Sequence, residues 1–142
     1  MVQTQSQLAE ANQKLDEANA NLEAANAQIK TLENDNQTLK SALEVAEAQN
    51  QLLQVLAQVN EARLALTNGD VPAAKAALKD TPTQLETVAA MIAPSNEALA
   101  NSMTARLALI LSGLDNNVDN AIVDLELLAG NLLDAQKILT GK

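Results

Sequence analysis

The sequence predicts an all-α fold in which a long N-terminal coiled-coil helix leads into a small helical bundle, and three observations carry that prediction. Leu8, Leu15, Leu22 and Ile29 recur at every seventh position, which is the spacing of a coiled-coil seam. No Gly or Pro interrupts the chain before Gly69, so nothing in the backbone forces a helix to stop earlier. Beyond that point the apolar residues keep helical spacing, and no stretch shows the period-two alternation of a half-buried strand.

The first predicted domain is a coiled-coil rod over residues 1–60. One helix from residue 2 to about 67, rising ~1.5 Å per residue, would be roughly 100 Å long. With Leu8 at heptad position a, the a series is Leu8, Leu15, Leu22, Ile29, Asn36, Leu43, Asn50, Ala57 and Leu64. The d series is Ala11, Ala18, Ala25, Leu32, Leu39, Ala46, Leu53 and Asn60. The predicted oligomer seam is Leu8, Leu15, Leu22, Ile29, Leu32, Asn36, Leu39, Leu43, Asn50 and Leu53. The heptads AEANQKL, DEANANL and EAANAQI tile residues 9–29 as a short internal repeat, and Ala at d lets helices approach closely while burying less apolar area.

Asn36 and Asn50 fix the preferred partner. A buried Asn at a is best satisfied by the same Asn across a parallel two-stranded axis, so the sequence predicts a parallel homodimer. Asp35 at g and Lys40 at the following e have the spacing that brings opposite charges together across such an axis, although one exposed pair contributes only ~0–1 kcal/mol. Antiparallel or intramolecular packing and a higher oligomer are the alternatives.

The second predicted domain, residues 61–142, is a helical bundle packed on the end of the rod. Past Asn60 the heptad gives way to a wider apolar face of Leu53, Leu56, Val59, Leu64 and Leu66. Gly69 suits a left-handed position after the helix, Asp70 a cap and Pro72 a first turn. A short helix over 71–80 then buries Ala74, Ala77 and Leu78. Thr81-Pro82 starts a second helix with Leu85, Val88, Ala89 and Ile92. Pro94-Ser95 stops it and caps a third, Asn96 to about Ser112, whose stripe is Leu99, Met103, Leu107, Ile110 and Leu111. After a stop at Gly113 the last helix runs from about Asn116 to Leu139, apolar over most of its circumference and therefore expected at the centre of the bundle.

Composition excludes many chemistries. Phe, Tyr, Trp, His and Cys are all absent, which removes imidazole and thiol nucleophiles, aromatic stacking platforms and the usual zinc, haem and iron–sulfur ligands. No cofactor is expected. The net charge of −9 repels nucleic acid and anionic membrane surfaces. It is spread along the chain, with eight acidic and three basic residues in 1–60 and ten and six thereafter, as in a solubilising surface. The apolar run LALILSGL over 107–114 is far shorter than the ~20 residues of a spanning helix, so direct membrane insertion by this chain is not expected.

Residues 62–78, ARLALTNGDVPAAKAAL, look like the middle of a tetratricopeptide-type hairpin, with small apolar residues on either side of a Gly-Asp turn. A rod ending in this hairpin and followed by Leu/Ala helices resembles the HemX-type, uroporphyrinogen methyltransferase-like proteins of bacterial envelopes over roughly residues 10–135. Those proteins have a membrane anchor, which this sequence lacks, a coiled coil and an extracytoplasmic helical domain; the resemblance implies an envelope scaffold rather than an enzyme, extracytoplasmic if an anchor preceded Met1. Nothing in the chain resembles a methyl-donor site.

One constellation has metal-ligand spacing. Asp115, Asn117, Asp119, Ile122 and Glu126 fall at the first, third, fifth, eighth and twelfth positions of an EF-hand loop. Asn120 stands where that loop has Gly, the apolar Val123 occupies the ninth position, and no second loop exists to pair with it. The competing expectation is that Asp115 or Asn116 caps a helix containing Val118 to Glu126, with no metal bound. Glu97 and Glu126 are the carboxylates considered for acid or base chemistry, but both lie among polar neighbours with no phosphate loop, and no enzyme is predicted. The expected function is a non-enzymatic coiled-coil tether presenting a helical protein-interaction head. The alternative is a small-ligand or calcium-binding module dimerised by its rod, which an open groove lined by Leu107, Ile110, Leu125 and Leu128 would favour.

Overall fold

The computed structural model describes residues 2–141. The chain is all-helical: α1 (Val2–Thr67), α2 (Val71–Ala77), α3 (Thr81–Ile92), α4 (Glu97–Asn116) and α5 (Val118–Thr140). It divides into two units, Met1–Ala42 and Leu43–Lys142. No helix among the described residues is long and apolar enough to cross a membrane.

The first unit, as far as residues 2–42 describe it, is α-helix throughout, and every one of those residues is exposed. Six of them are Asn, each costing up to ~0.7 kcal/mol of helix stability relative to Ala. Its Thr31 and Thr38 hydroxyls donate to the carbonyls of Ala27 and Asn34 one turn back, bonds that add nothing to helix stability.

The second unit is a bundle formed by α2 to α5 and the last turns of α1. Ala48, Leu52, Val55, Val59, Ala62 and Leu66 of α1 are buried, in one core with Leu78, Leu85, Val88, Ile92, Met103, Ile110, Leu125, Leu128 and Leu132. This unit therefore takes in residues 43–60, which carry heptads and core positions at once. The wider face predicted beyond Asn60 is in fact two faces. Val59 and Leu66 are buried and Leu56 half-buried, whereas Leu53 and Leu64 stay exposed.

The turn after α1 forms as its residues predict. Gly69 has φ 77°, the Asp70 N–H donates to Ala65 O at 2.8 Å, and Asp70 Oδ1 accepts from Ala73 N at 3.0 Å, with Pro72 in the first turn. The return helix α2 is only seven residues long, ending at Ala77 where a helix to residue 80 was expected.

Three further boundaries differ from expectation. Asn96, rather than Ser95, caps α4, accepting from Leu99 N at 3.0 Å. Gly113 does not end α4, which continues to Asn116. Its missing side chain matters for packing instead, because a Cβ there would lie 3.1 Å from Ala121 Cβ, where α4 and α5 meet closely. The cap of α5 is Asn117, accepting from Asn120 N at 3.2 Å, rather than Asp115 or Asn116. Nor is α5 buried on all sides: Leu125, Leu128 and Leu132 face the core, but Val123, Leu127 and Leu133 remain about half exposed.

A polar chain fixes α3 against α1. The buried Thr81 hydroxyl donates to Gln58 Oε1 (2.6 Å), Gln58 Nε2 donates to Gln84 Oε1 (2.7 Å), and Gln84 Nε2 donates to Gln54 Oε1 (2.8 Å). This explains why Thr81 is buried at the start of α3, where Asp80 occupies the cap position without a side-chain bond. On the other side of α1, Gln49 Nε2 donates to Leu139 O at 3.4 Å and Arg63 meets Glu126 at 3.6 Å, so α5 runs antiparallel to α1.

Candidate functional site

The feature of α1 with chemical consequence is a row of apolar side chains that the chain itself does not cover. In the first unit these are Leu8, Leu15, Leu22, Ile29, Leu32 and Leu39; in the second, Leu43, Leu53 and Leu64. All nine are between 51 and 66 % exposed. Asn36 and Asn50, at a positions of the same frame, are exposed as well. None of the nine a and eight d positions from Leu8 to Leu64 carries a charge, although the charged residues of the region stand directly beside them, as at Glu33, Asp35, Lys40, Glu47 and Glu61. A solvated helix face has no physical reason to keep seventeen such positions free of charge, whereas a seam that must be desolvated has one.

The residues with calcium-loop spacing are dispersed into helices. Asp115 lies in the last turn of α4 and pairs with Lys75, Asn117 is the α5 cap, Asp119 is in the first turn of α5, and Glu126 pairs with Arg63. The peptide therefore crosses from one helix to the next at the single residue Asn117, where a calcium loop would need an extended stretch of backbone. Among the described residues no group of three or more acidic side chains is placed to hold a metal ion. Glu97 is exposed at the first position of α4, remote in sequence and element from Glu126.

Leu107, Ile110, Leu125 and Leu128, named above as the lining of a possible groove, are instead all buried in the common core. Among the concavities at the surface of the head is a shallow groove of about 220 Å³ between α3 and α4, floored by Leu85, Leu107 and Leu111 with Pro82, Glu86, Thr104 and Ala108 around it. The one ion pair of the head that is largely withdrawn from water among the described residues is Arg106–Asp124, at 3.1 Å between α4 and α5. It joins two adjacent helices and leaves neither group free for chemistry.

The sequence signal for the uncovered row was its seven-residue recurrence. The second row, Ala48 to Leu66, recurs at alternating spacings of four and three and was legible in the same way, but it was merged with the first. No family model, curated protein or solved structure matches this chain, so the HemX-type resemblance rests on sequence layout alone.

Proposed function

We propose that this chain is a non-enzymatic, self-associating tether, in which the a/d row of α1 pairs in parallel with that of a second copy and so holds two helical heads that present protein-interaction surfaces. The observation that carries this is the first unit, forty-one described residues of helix with not one of them buried. Helices in water owe most of their stability to packing of an apolar face, and this one has the face without the packing.

The magnitudes agree. Burying a Leu fully is worth ~1.5–3 kcal/mol, so covering the exposed half of each of the six apolar side chains of the row that lie in the first unit contributes about 1 kcal/mol apiece in each copy. Over two copies that is about 12 kcal/mol, of the size of the ~4–15 kcal/mol that association costs. Asn36 and Asn50 lower the gain and select the in-register parallel pair.

The ligand- or calcium-binding alternative has less support. The side chains that were to line its pocket are core residues, and Asp115 and Glu126 of its loop pair with Lys75 and Arg63. The tether reading is tested by circular dichroism on dilution. Helicity should fall as the concentration drops through the dissociation constant, because residues 2–42 lose their partner. Helicity independent of concentration down to nanomolar protein, with a monomeric mass throughout, would refute it.

A further inference from the structure

Residues 43–67 use the seven-residue frame twice. Positions c and f, Leu52 and Val59 among them, are buried in the head, while positions a and d, including Leu43, Leu53 and Leu64, are exposed. At about 100° per residue the centres of these two rows lie roughly 160° apart around the helix. One side of α1 is thus committed to its own head and the opposite side is bare along the same turns. Neither α3 nor α5 closes over the bare side, since every a and d position from Leu43 to Leu64 is exposed.

We propose that the self-association seam does not stop where the head begins but continues alongside it to Leu64, so that the two heads stand back to back on a shared pair of α1 helices. This rests on the parallel pairing proposed above and adds the head to it. A second copy is the occupant the residues select. The a and d positions here use the same Leu, Ala and Asn as residues 8–39, free of charge. Asn50 at a finds its best partner in the identical residue of an in-register copy, and Ala46 and Ala57 bring little apolar area but permit the close approach of a like helix. The seam also gains an edge from the head. The register set by Gln49 with Leu139 and Arg63 with Glu126 brings Leu133, 48 % exposed, level with the half-buried Leu56 at g. Head folding and pairing then use opposite sides of one helix.

The absence of cysteine makes the test direct, because one introduced thiol is the only thiol. In a parallel in-register pair, facing a or d residues approach within the ~4.4–6.8 Å that a disulfide spans. Four full-length variants are oxidised mildly: Leu22→Cys in the first unit, Asn60→Cys and Leu64→Cys beside the head, and Ala20→Cys at an outward f position. The proposal expects the first three to link into dimers roughly 100-fold faster than Ala20→Cys at micromolar protein, since held thiols meet at millimolar effective concentration. Linking of Leu22→Cys with failure of both Asn60→Cys and Leu64→Cys would end the seam before the head and overturn this inference while sparing the parallel rod. Linking of none of the three would overturn both. Equal rates at all positions would mean random collision and also overturn both.

Discussion

Leu52 and Leu53 are neighbours in sequence with opposite surroundings, and truncating each in turn separates the two packings of α1. Leu52 is fully buried and Leu53 is 51 % exposed. Leu52→Ala removes a core side chain held between helices of its own head, at a cost of about 2–5 kcal/mol. For a unit of this size each kcal/mol shifts the melting temperature by ~4–8 °C, so the fall should be roughly 8–40 °C and similar at every protein concentration. Leu53→Ala leaves the head core intact. Its loss is felt in the pair, at about 1 kcal/mol per copy, which for two copies weakens the dissociation constant roughly 30-fold. Thermal melts followed by circular dichroism at several concentrations, together with sedimentation equilibrium, read both effects. The reasoning fails if Leu52→Ala melts within ~1 kcal/mol of the unmutated protein, or if Leu53→Ala lowers the melting temperature without weakening association.

Replacing Asn36 and Asn50 together by Leu should raise thermal stability, with up to ~1.5–3 kcal/mol of burial at each site, while allowing trimers or mixed registers that sedimentation velocity would resolve; unchanged stability would place both Asn outside the seam. A fragment beginning at Asp70 lacks Leu52, Val55, Val59, Ala62 and Leu66 of the core and should be poorly helical with no cooperative melt, so a sharp transition in that fragment would show the head independent of α1. Millimolar calcium should alter neither helicity nor melting temperature, because forming the loop would unwind the start of α5 and expose Ala121, which is fully buried. Glu126→Gln should be equally silent, given the exposure of its pair with Arg63; calorimetry finding a saturable micromolar site abolished by that substitution would overturn the prediction.

The helical class, the breaks near Gly69 and Pro94 and the cap at Asp70 were legible because each rests on a local rule: a period, a left-handed glycine, a side chain that accepts from the first turn. What the sequence obscured follows from superposition. Between Leu43 and Leu66 two heptad rows interleave on opposite sides of one helix, and their sum reads as a single broad apolar face. Only knowing which side the head covers separates them. Gly113 was misjudged for a related reason. A glycine near a turn looks like a stop, but here it lies one turn before the end of α4 and lets Ala121 approach, a tertiary requirement that no local pattern encodes. The cap at Asn117 was missed among several residues of the run Asp115-Asn116-Asn117, each able to cap. On the candidate seam, every residue named from the heptad frame is exposed on the single chain, and so is Leu64, which stands in the same a series but was assigned to the apolar face of the head.

The central claim is that the bare a/d row of α1 is covered by a second copy of the chain, and the most direct measurement is the molar mass in solution by light scattering across a dilution series. The account predicts about twice the 14.9 kDa of one chain at micromolar concentration, falling toward a single chain on dilution and falling sooner for Leu53→Ala. A mass of one chain at every concentration would contradict it.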